Sequence, residues 1–262
     1  MTHIVISNYL SINYLQFTIY YLLFTIHYSL YTMSLSKKVI IAAGGSGNRM
    51  DSDVPKQFLL LNGKPVLMHT IERFFIYDKN IEIVVVLPEF QIDYWEKLKQ
   101  KHNFTISHII AKGGNTRFQS VKNGLEMINT DGLTAVHDAV RPFVSIETIN
   151  NCFKTAAEKD SAIPVVELVE SLRFISGDGN ISCNRQSYRL VQTPQVFNTL
   201  LLKKAYQQPY SDHFTDDASV MEKFGIKISL VNGNVENIKI TTPLDLILGE
   251  KILEYVEQQG KI

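Results

Sequence analysis

From Lys37 onward, continuous apolar runs alternate with stretches of helical spacing. Val39 to Ala43, Ile81 to Leu87, Ile106 to Ile110 and Leu133 to His137 read as strands apolar on both faces, the last running into Asp138. Between them Val66 to Ile76, Tyr94 to His102 and Phe118 to Ile128 repeat their apolar positions every three to four residues. Strands buried on both faces and separated by helices predict an α/β fold, with a mostly parallel sheet and helices on both sides. In such sheets ligands bind beyond the carboxyl ends of the strands. The loops Gly44 to Arg49, Gly113 to Arg117 and Asp138 to Arg141 all fall there, so three loops are expected to converge on one crevice.

Two segments depart from that rhythm. Val165 to Arg189 alternates like strands at Ser171 to Ile175 and Ile181 to Cys183, with turn residues Ser176 to Asn180 between. This predicts an inserted hairpin at about residues 165–190, too thin to have its own core. It either packs on a second copy of the chain, the reading preferred here, or lies as a flap over the site. Residues 1–36 contain no Lys, Arg, Asp or Glu and carry Tyr9, Tyr14, Tyr20, Tyr21, Tyr28 and Tyr31. A membrane span would be interrupted by Ser11, Asn13, Gln16 and His27, and a signal peptide would lack its basic start. The favoured expectation is a non-conforming extension before a single domain over 37–258, with the natural start near Met33. A chain begun at Met33 is then expected to turn over as the full chain does, which a side-by-side assay checks.

Composition narrows the partners. Lys plus Arg equals Asp plus Glu at 26 each in 262 residues, so no overall field draws the chain to nucleic acid or an anionic membrane. Cys152 and Cys183 are the only cysteines, too few for a disulfide framework or a zinc site, which fits a reducing, cytoplasmic setting.

The candidate chemistry begins at IIAAGGSGNRMDSDVPKQF, Ile40 to Phe58. Glycines let phosphate oxygens approach backbone N–H groups, and Arg49 and Lys56 supply positive charge. Asn48 and Arg49 follow Gly47 where a Walker A loop needs Lys and Ser or Thr, and Met50 takes the place of a dinucleotide fingerprint's third glycine. Read blandly, this is a glycine-rich strand-to-helix turn with surface charges.

Six blocks, AAGGSGNRM with PKQF, GGNTRFQSV, HDAVRP, LVQTPQVF, FTDDASVME and NIKITTPLDL, occur in order over almost all of Lys37 to Glu254. Together they resemble the 2-C-methyl-D-erythritol 4-phosphate cytidylyltransferase family. The resemblance implies a Rossmann-like nucleotidyltransferase fold, a homodimer joined by the hairpin arm, CTP and methylerythritol phosphate as substrates, and Mg²⁺ held mainly by the CTP phosphates. It implies catalytic roles for Arg49, Lys56 and Lys239. Nucleotide contacts fall on Ala42, Ala43, Gly44, Gly47, Gly114, Ser120 and Asp138. Methylerythritol phosphate would be met by Arg141, Ser171, Arg185, Thr193 and Thr215, with Ser171 and Arg185 reaching into the partner's site. No metal ligand is assigned. Asn115 and Val140 stand where relatives often carry Asp and Ala.

Taken singly these residues have plainer uses. Lys239 could point to solvent from an alternating strand, Asp138 and Arg141 could pair at a helix start, and Thr215, Asp216 and Asp217 could cap the helix through Met221. Two rival functions remain open on the sequence. One is a cytidylyltransferase for another polyol phosphate such as ribitol 5-phosphate, and the other a nucleotide-binding oxidoreductase or sensor.

Overall fold

The computed structural model describes residues 18–22, 35–44 and 54–259. The chain divides into Met1–Leu35 and Ser36–Ile262. Of the first unit residues 18–22 and Leu35 are described, and residues 18–22 are helical.

The second unit is built on an eight-stranded sheet. Its centre is β1 (Lys37–Ala42), hydrogen-bonded in parallel to β4 (Glu82–Leu87) on one side and to β6 (Leu133–Asp138) on the other. Between β1 and β4 lie the two-residue strands β2 (Leu60–Leu61) and β3 (Lys64–Pro65), which pair only with each other, and helix α1 (Val66–Tyr77). Helix α2 (Ile92–Lys101) then leads to β5 (Ile109–Lys112), parallel to β4. Helix α3 (Arg117–Glu126) precedes β6, and α4 (Ile146–Lys159) precedes β7 (Ser161–Val166). The far half of the sheet is mixed: β11 (Gln195–Asn198) runs antiparallel between β6 and β7, while β10 (Leu190–Val191) and β12 (Leu230–Asn232) flank β7.

Pleating assigns the strand residues to two faces. Ile40, Val84, Val86 and Val136 pack with Phe118, Val121 and Leu125 of α3, and the same cluster takes in Leu202 of α5 (Thr199–Ala205) and Val220 of α6 (Asp217–Lys223). On the opposite face Phe74 of α1 meets His137 of β6 edge-on at 4.9 Å, and Tyr77 stacks on Phe153 of α4. Helices therefore cover both faces, as the periodicity predicts. Helix α3 lies so close to the sheet that a Cβ on Gly124 would stand 2.9 Å from Ile40 Cγ2. The final helix, α7 (Pro243–Gln258), starts with a reciprocal Thr242–Asp245 cap and proline in its first turn.

Three boundaries differ from the sequence expectation for identifiable reasons. The third strand begins at Ile109 and not Ile106, because the His108 ring folds back on the Ile106 carbonyl at 2.7 Å and accepts the Trp95 indole N–H at 3.0 Å. The hairpin β8 (Leu172–Ser176) and β9 (Gly179–Cys183) closes through two residues, Gly177 and Asp178, and not five. Gly177 has φ +55°, the geometry a two-residue hairpin loop needs at its first central position. Lys239 lies outside any strand: Ile240 is buried against Val140 and Leu253, and its N–H bonds the Val140 carbonyl at 2.9 Å.

Candidate active site

A cavity of about 300 Å³ opens beyond the carboxyl ends of β1 and β6. Ala42, Ala43 and Gly44 line it where β1 ends, and Asp138, Ala139 and Val140 where β6 ends. Lys56 enters from a short 3₁₀ turn, Lys56–Phe58. Its aim is set by its neighbours. Buried Gln57 donates to the Ala43 carbonyl at 3.0 Å and to Gln91 Oε1 at 2.6 Å, and Phe58 stacks on Trp95. The PKQF block is thus one cation on two anchors.

The opposing wall is the Gly113–Gly114 loop and the start of α3. Thr116 caps this helix, its hydroxyl accepting the Gln119 N–H at 3.0 Å. The helix's positive end, with Asn115, Thr116 and Arg117, borders the cavity and favours an anion there. Ser120 Oγ accepts the Gly114 N–H at 3.0 Å and donates to the Thr116 carbonyl at 2.9 Å. A Cβ on Gly44 would stand 3.0 Å from Ser120 Oγ, and one on Gly114 only 2.2 Å from Gln119 Cγ. Small residues are required at both glycine positions, and this end of the cavity is narrow.

Charge is concentrated at the back. Asp138 Oδ2 pairs with Lys239 Nζ at 3.0 Å and Arg141 Nε at 3.2 Å. Burial opposes its ionisation, but Lys239, Arg117 and Arg141 together outweigh that and hold the carboxyl well below the usual carboxylate range. Arg117 forms a two-pronged pair with buried Asp217, at 3.0 Å from NH1 and 2.5 Å from NH2, and Tyr206 donates its hydroxyl to the same carboxylate at 2.6 Å. Burial works against the Arg117 charge, and the Asp217 carboxylate more than compensates, raising its pKa. Asp217→Asn removes the carboxylate bonded to that guanidinium and is expected to destabilise the fold by ~2 kcal/mol, read as a lower denaturant midpoint.

Of the residues the sequence singles out, Ala42, Ala43, Gly44, Lys56, Ser120, Asp138 and Lys239 line this cavity. Gly114 is bonded to Ser120, and Arg141 to Asp138. Thr193 is 5% exposed and its hydroxyl accepts the Asp138 N–H at 3.1 Å. Gly47 and Arg49 lie outside the described residues. Ser171, Arg185 and Thr215 do not line the cavity. Ser171 and Arg185 are exposed beside the hairpin, where the Arg185 guanidinium donates to the Val169 carbonyl. Thr215 precedes Asp216, which caps α6 reciprocally with Ser219. Sequence reasoning passed over Gln57, Thr116 and Arg117 as individual site residues, and took Asp217 only as part of a capping cluster. The available signal was position: Arg117 is the first residue of α3 after its capping threonine, within the glycine-loop block.

The model of the family described as 2-C-methyl-D-erythritol 4-phosphate cytidylyltransferase matches residues 38–255. A relative of that name in Bacteroides thetaiotaomicron is 52% identical over 219 residues, covering 84% of this chain and 100% of the relative. Another, in Porphyromonas gingivalis, is 50% identical over 222 residues, covering 84% and 99%. Among solved structures, the 2-C-methyl-D-erythritol 4-phosphate cytidylyltransferase of Thermus thermophilus is 30% identical with a TM-score of 0.68, covering 84% of this chain and 98% of that one. The 4-diphosphocytidyl-2C-methyl-D-erythritol synthase of Anaerococcus prevotii is 27% identical with a TM-score of 0.72, covering 84% and 96%.

Proposed function

This chain belongs to the 2-C-methyl-D-erythritol 4-phosphate cytidylyltransferase family, and on that premise we propose how its own residues carry out the reaction. The enzyme transfers CMP from CTP to 2-C-methyl-D-erythritol 4-phosphate, giving 4-diphosphocytidyl-2-C-methyl-D-erythritol and pyrophosphate in non-mevalonate isoprenoid precursor synthesis. A phosphate oxygen of the sugar alcohol bonds to the α-phosphorus of CTP as the bond to the β-phosphate bridging oxygen breaks. The nucleophile is already anionic at neutral pH, so no base is needed, and the obstacle is repulsion between two polyanions.

The observation that carries this reading is the charge of the cavity. Among the described residues three cations, Lys56, Arg117 and Lys239, line it with one carboxylate, Asp138, and Arg117 is already paired with Asp217 behind it. In our reading Lys56, with Arg49, stabilises charge building on the α-phosphorus, and Lys239 with Arg141 holds the phosphate of the second substrate. Cytosine sits at the narrow end between Gly44, Gly114 and Ser120, and Asp138 meets the ribose. Among the described residues no three of His, Cys, Asp and Glu gather as a metal site. Asp138 Oδ2 is already bonded by two cations, which supports a Mg²⁺ that arrives on the triphosphate. When bound, it would neutralise phosphate oxygens.

A homodimer joined by the hairpin is the arrangement we favour. Among the described residues strands β8 and β9 pair only with each other, and Phe174, Ile175 and Ile181 are 56%, 68% and 63% exposed. Use of CTP and two free thiols fit a cytoplasmic enzyme. Among the described residues no helix is long and apolar enough to cross a membrane. The test is pyrophosphate release from CTP with methylerythritol phosphate and ribitol 5-phosphate side by side, with and without Mg²⁺. Release that depends on methylerythritol phosphate and the metal is expected; equal rates with ribitol phosphate would overturn the substrate assignment.

A further inference from the structure

Arg117 lines the cavity with Lys56 and Lys239, but its charge is already answered. Its guanidinium grips Asp217 end-on through NH1 and NH2, and the Asp217 side chain is fully buried while that of Arg117 is 34% exposed. That carboxylate is fixed from behind. Tyr206, stacked on Phe118, donates to its Oδ1, and Gln195 of β11 holds the start of α6 by accepting the Ala218 N–H and donating to Asp216, each at 2.8 Å. A guanidinium held by its end keeps three N–H donors, at Nε and on the outer side of each terminal nitrogen. None of the three has a partner among the described residues.

Asp138 lines the same cavity. Lys239 and Arg141 both bond its Oδ2, and Oδ1 bonds no described residue. Burial opposes the ionisation of this carboxyl, and Lys239, Arg117 and Arg141 overcome it, so Arg117 stands close to Asp138. No hydrogen bond joins the two. A group that serves both an open N–H edge and an open carboxylate oxygen must accept from one and donate to the other. A phosphate oxygen only accepts and would meet the Asp138 charge, and an amine only donates; a hydroxyl does both.

We propose that Arg117 recognises the ribose of the nucleotide, donating to a ribose hydroxyl that in turn donates to Asp138 Oδ1, and that buried Asp217 is the positioning residue that holds Arg117 in place for it. The inference rests on the reading that sets the ribose against Asp138. Arg117 also opens the helix that follows the Gly113–Gly114 loop, so base and sugar are met by one continuous segment. Its direction, and not its charge, is what the nucleotide uses.

The probe is 2′,3′-dideoxy-CTP, which keeps the base and the triphosphate and lacks both ribose hydroxyls, with dissociation constants read by titration calorimetry. Hydrogen bonds to charged groups predict that the parent protein binds CTP ~30-fold more tightly than the dideoxy nucleotide. Arg117→Gln combined with Asp217→Asn removes both charges together and leaves no buried carboxylate unpaired. In that double variant CTP binding should weaken ~10-fold and dideoxy binding stay within about twofold, so the preference shrinks to about threefold. Asp217→Asn alone should lower the preference to about tenfold, because Arg117 is present but no longer held; an unchanged preference there would overturn the positioning role. A full preference in the double variant would leave the ribose to Asp138 alone, and equal weakening of both nucleotides would mark a role in charge or folding. Either result overturns the proposal. So does parent protein that binds the two nucleotides within twofold, a result that needs no variant to fold. Should the parent enzyme release no pyrophosphate from CTP with methylerythritol phosphate, the functional reading fails while the binding preference still decides the ribose contact.

Discussion

Lys56→Ala is expected to lower kcat by about 100-fold or more, close to 3 kcal/mol of transition-state stabilisation, with the fold intact. Lys56 faces the cavity from a 3₁₀ turn whose buried members are Gln57 and Phe58, so truncating it removes charge without disturbing the anchors. The charge it meets is greatest when the α-phosphorus carries five oxygens, so the loss should fall on kcat and much less on the KM for CTP. Arg49→Ala carries the same expectation on the family resemblance alone. Steady-state pyrophosphate release checks both, and near-parental turnover in either folded variant removes that residue from the mechanism.

Mixing two inactive chains should restore activity. Arg185 stands beside a hairpin that pairs with nothing in its own sheet, and its guanidinium lies on the surface against the Val169 carbonyl. If it completes the partner's site, an Arg185→Ala chain joined to a Lys56→Ala chain yields one site with both residues intact and one with neither. Random pairing makes half the dimers mixed, so recovery should approach about a quarter of parental activity, well above either parent variant. Exchange of subunits shown by tagged pull-down with no recovery would place Arg185 in its own chain's site or outside the reaction.

The central sheet was legible because β1, β4 and β6 are buried on both faces and therefore read as unbroken apolar runs. Convergence of Gly44, Asn115 to Arg117 and Asp138 to Val140 on one cavity followed from strand ends alone, whereas Gly45 to Arg49 lie outside the described residues. The antiparallel insertion of β11 between β6 and β7 was not legible, because Gln195–Asn198 is short and carries no alternation of its own. Asp217 hid behind Asp216: both suit a helix start, and only distance tells the cap from the partner of Arg117, 100 positions earlier in the chain. Lys239 could also be read as the outward residue of a strand because Ile238 and Ile240 alternate around it, yet no strand forms there and both pack in a cluster with Val140, Phe143 and Leu253. The role of Gln57 needed the Ala43 carbonyl and Gln91, which no local pattern brings together.

The cationic lining of the cavity among the described residues also limits how the enzyme can be blocked. A competitive inhibitor that replaces the nucleotide's phosphates must carry negative charges as they do, since a neutral molecule would displace water from the cationic wall and return no charge to it. Such polyanions cross lipid poorly. Permeable inhibitors should therefore come from the narrow uncharged end between Gly44 and Ser120, where selectivity would rest on the fit of a flat ring and not on phosphate mimicry.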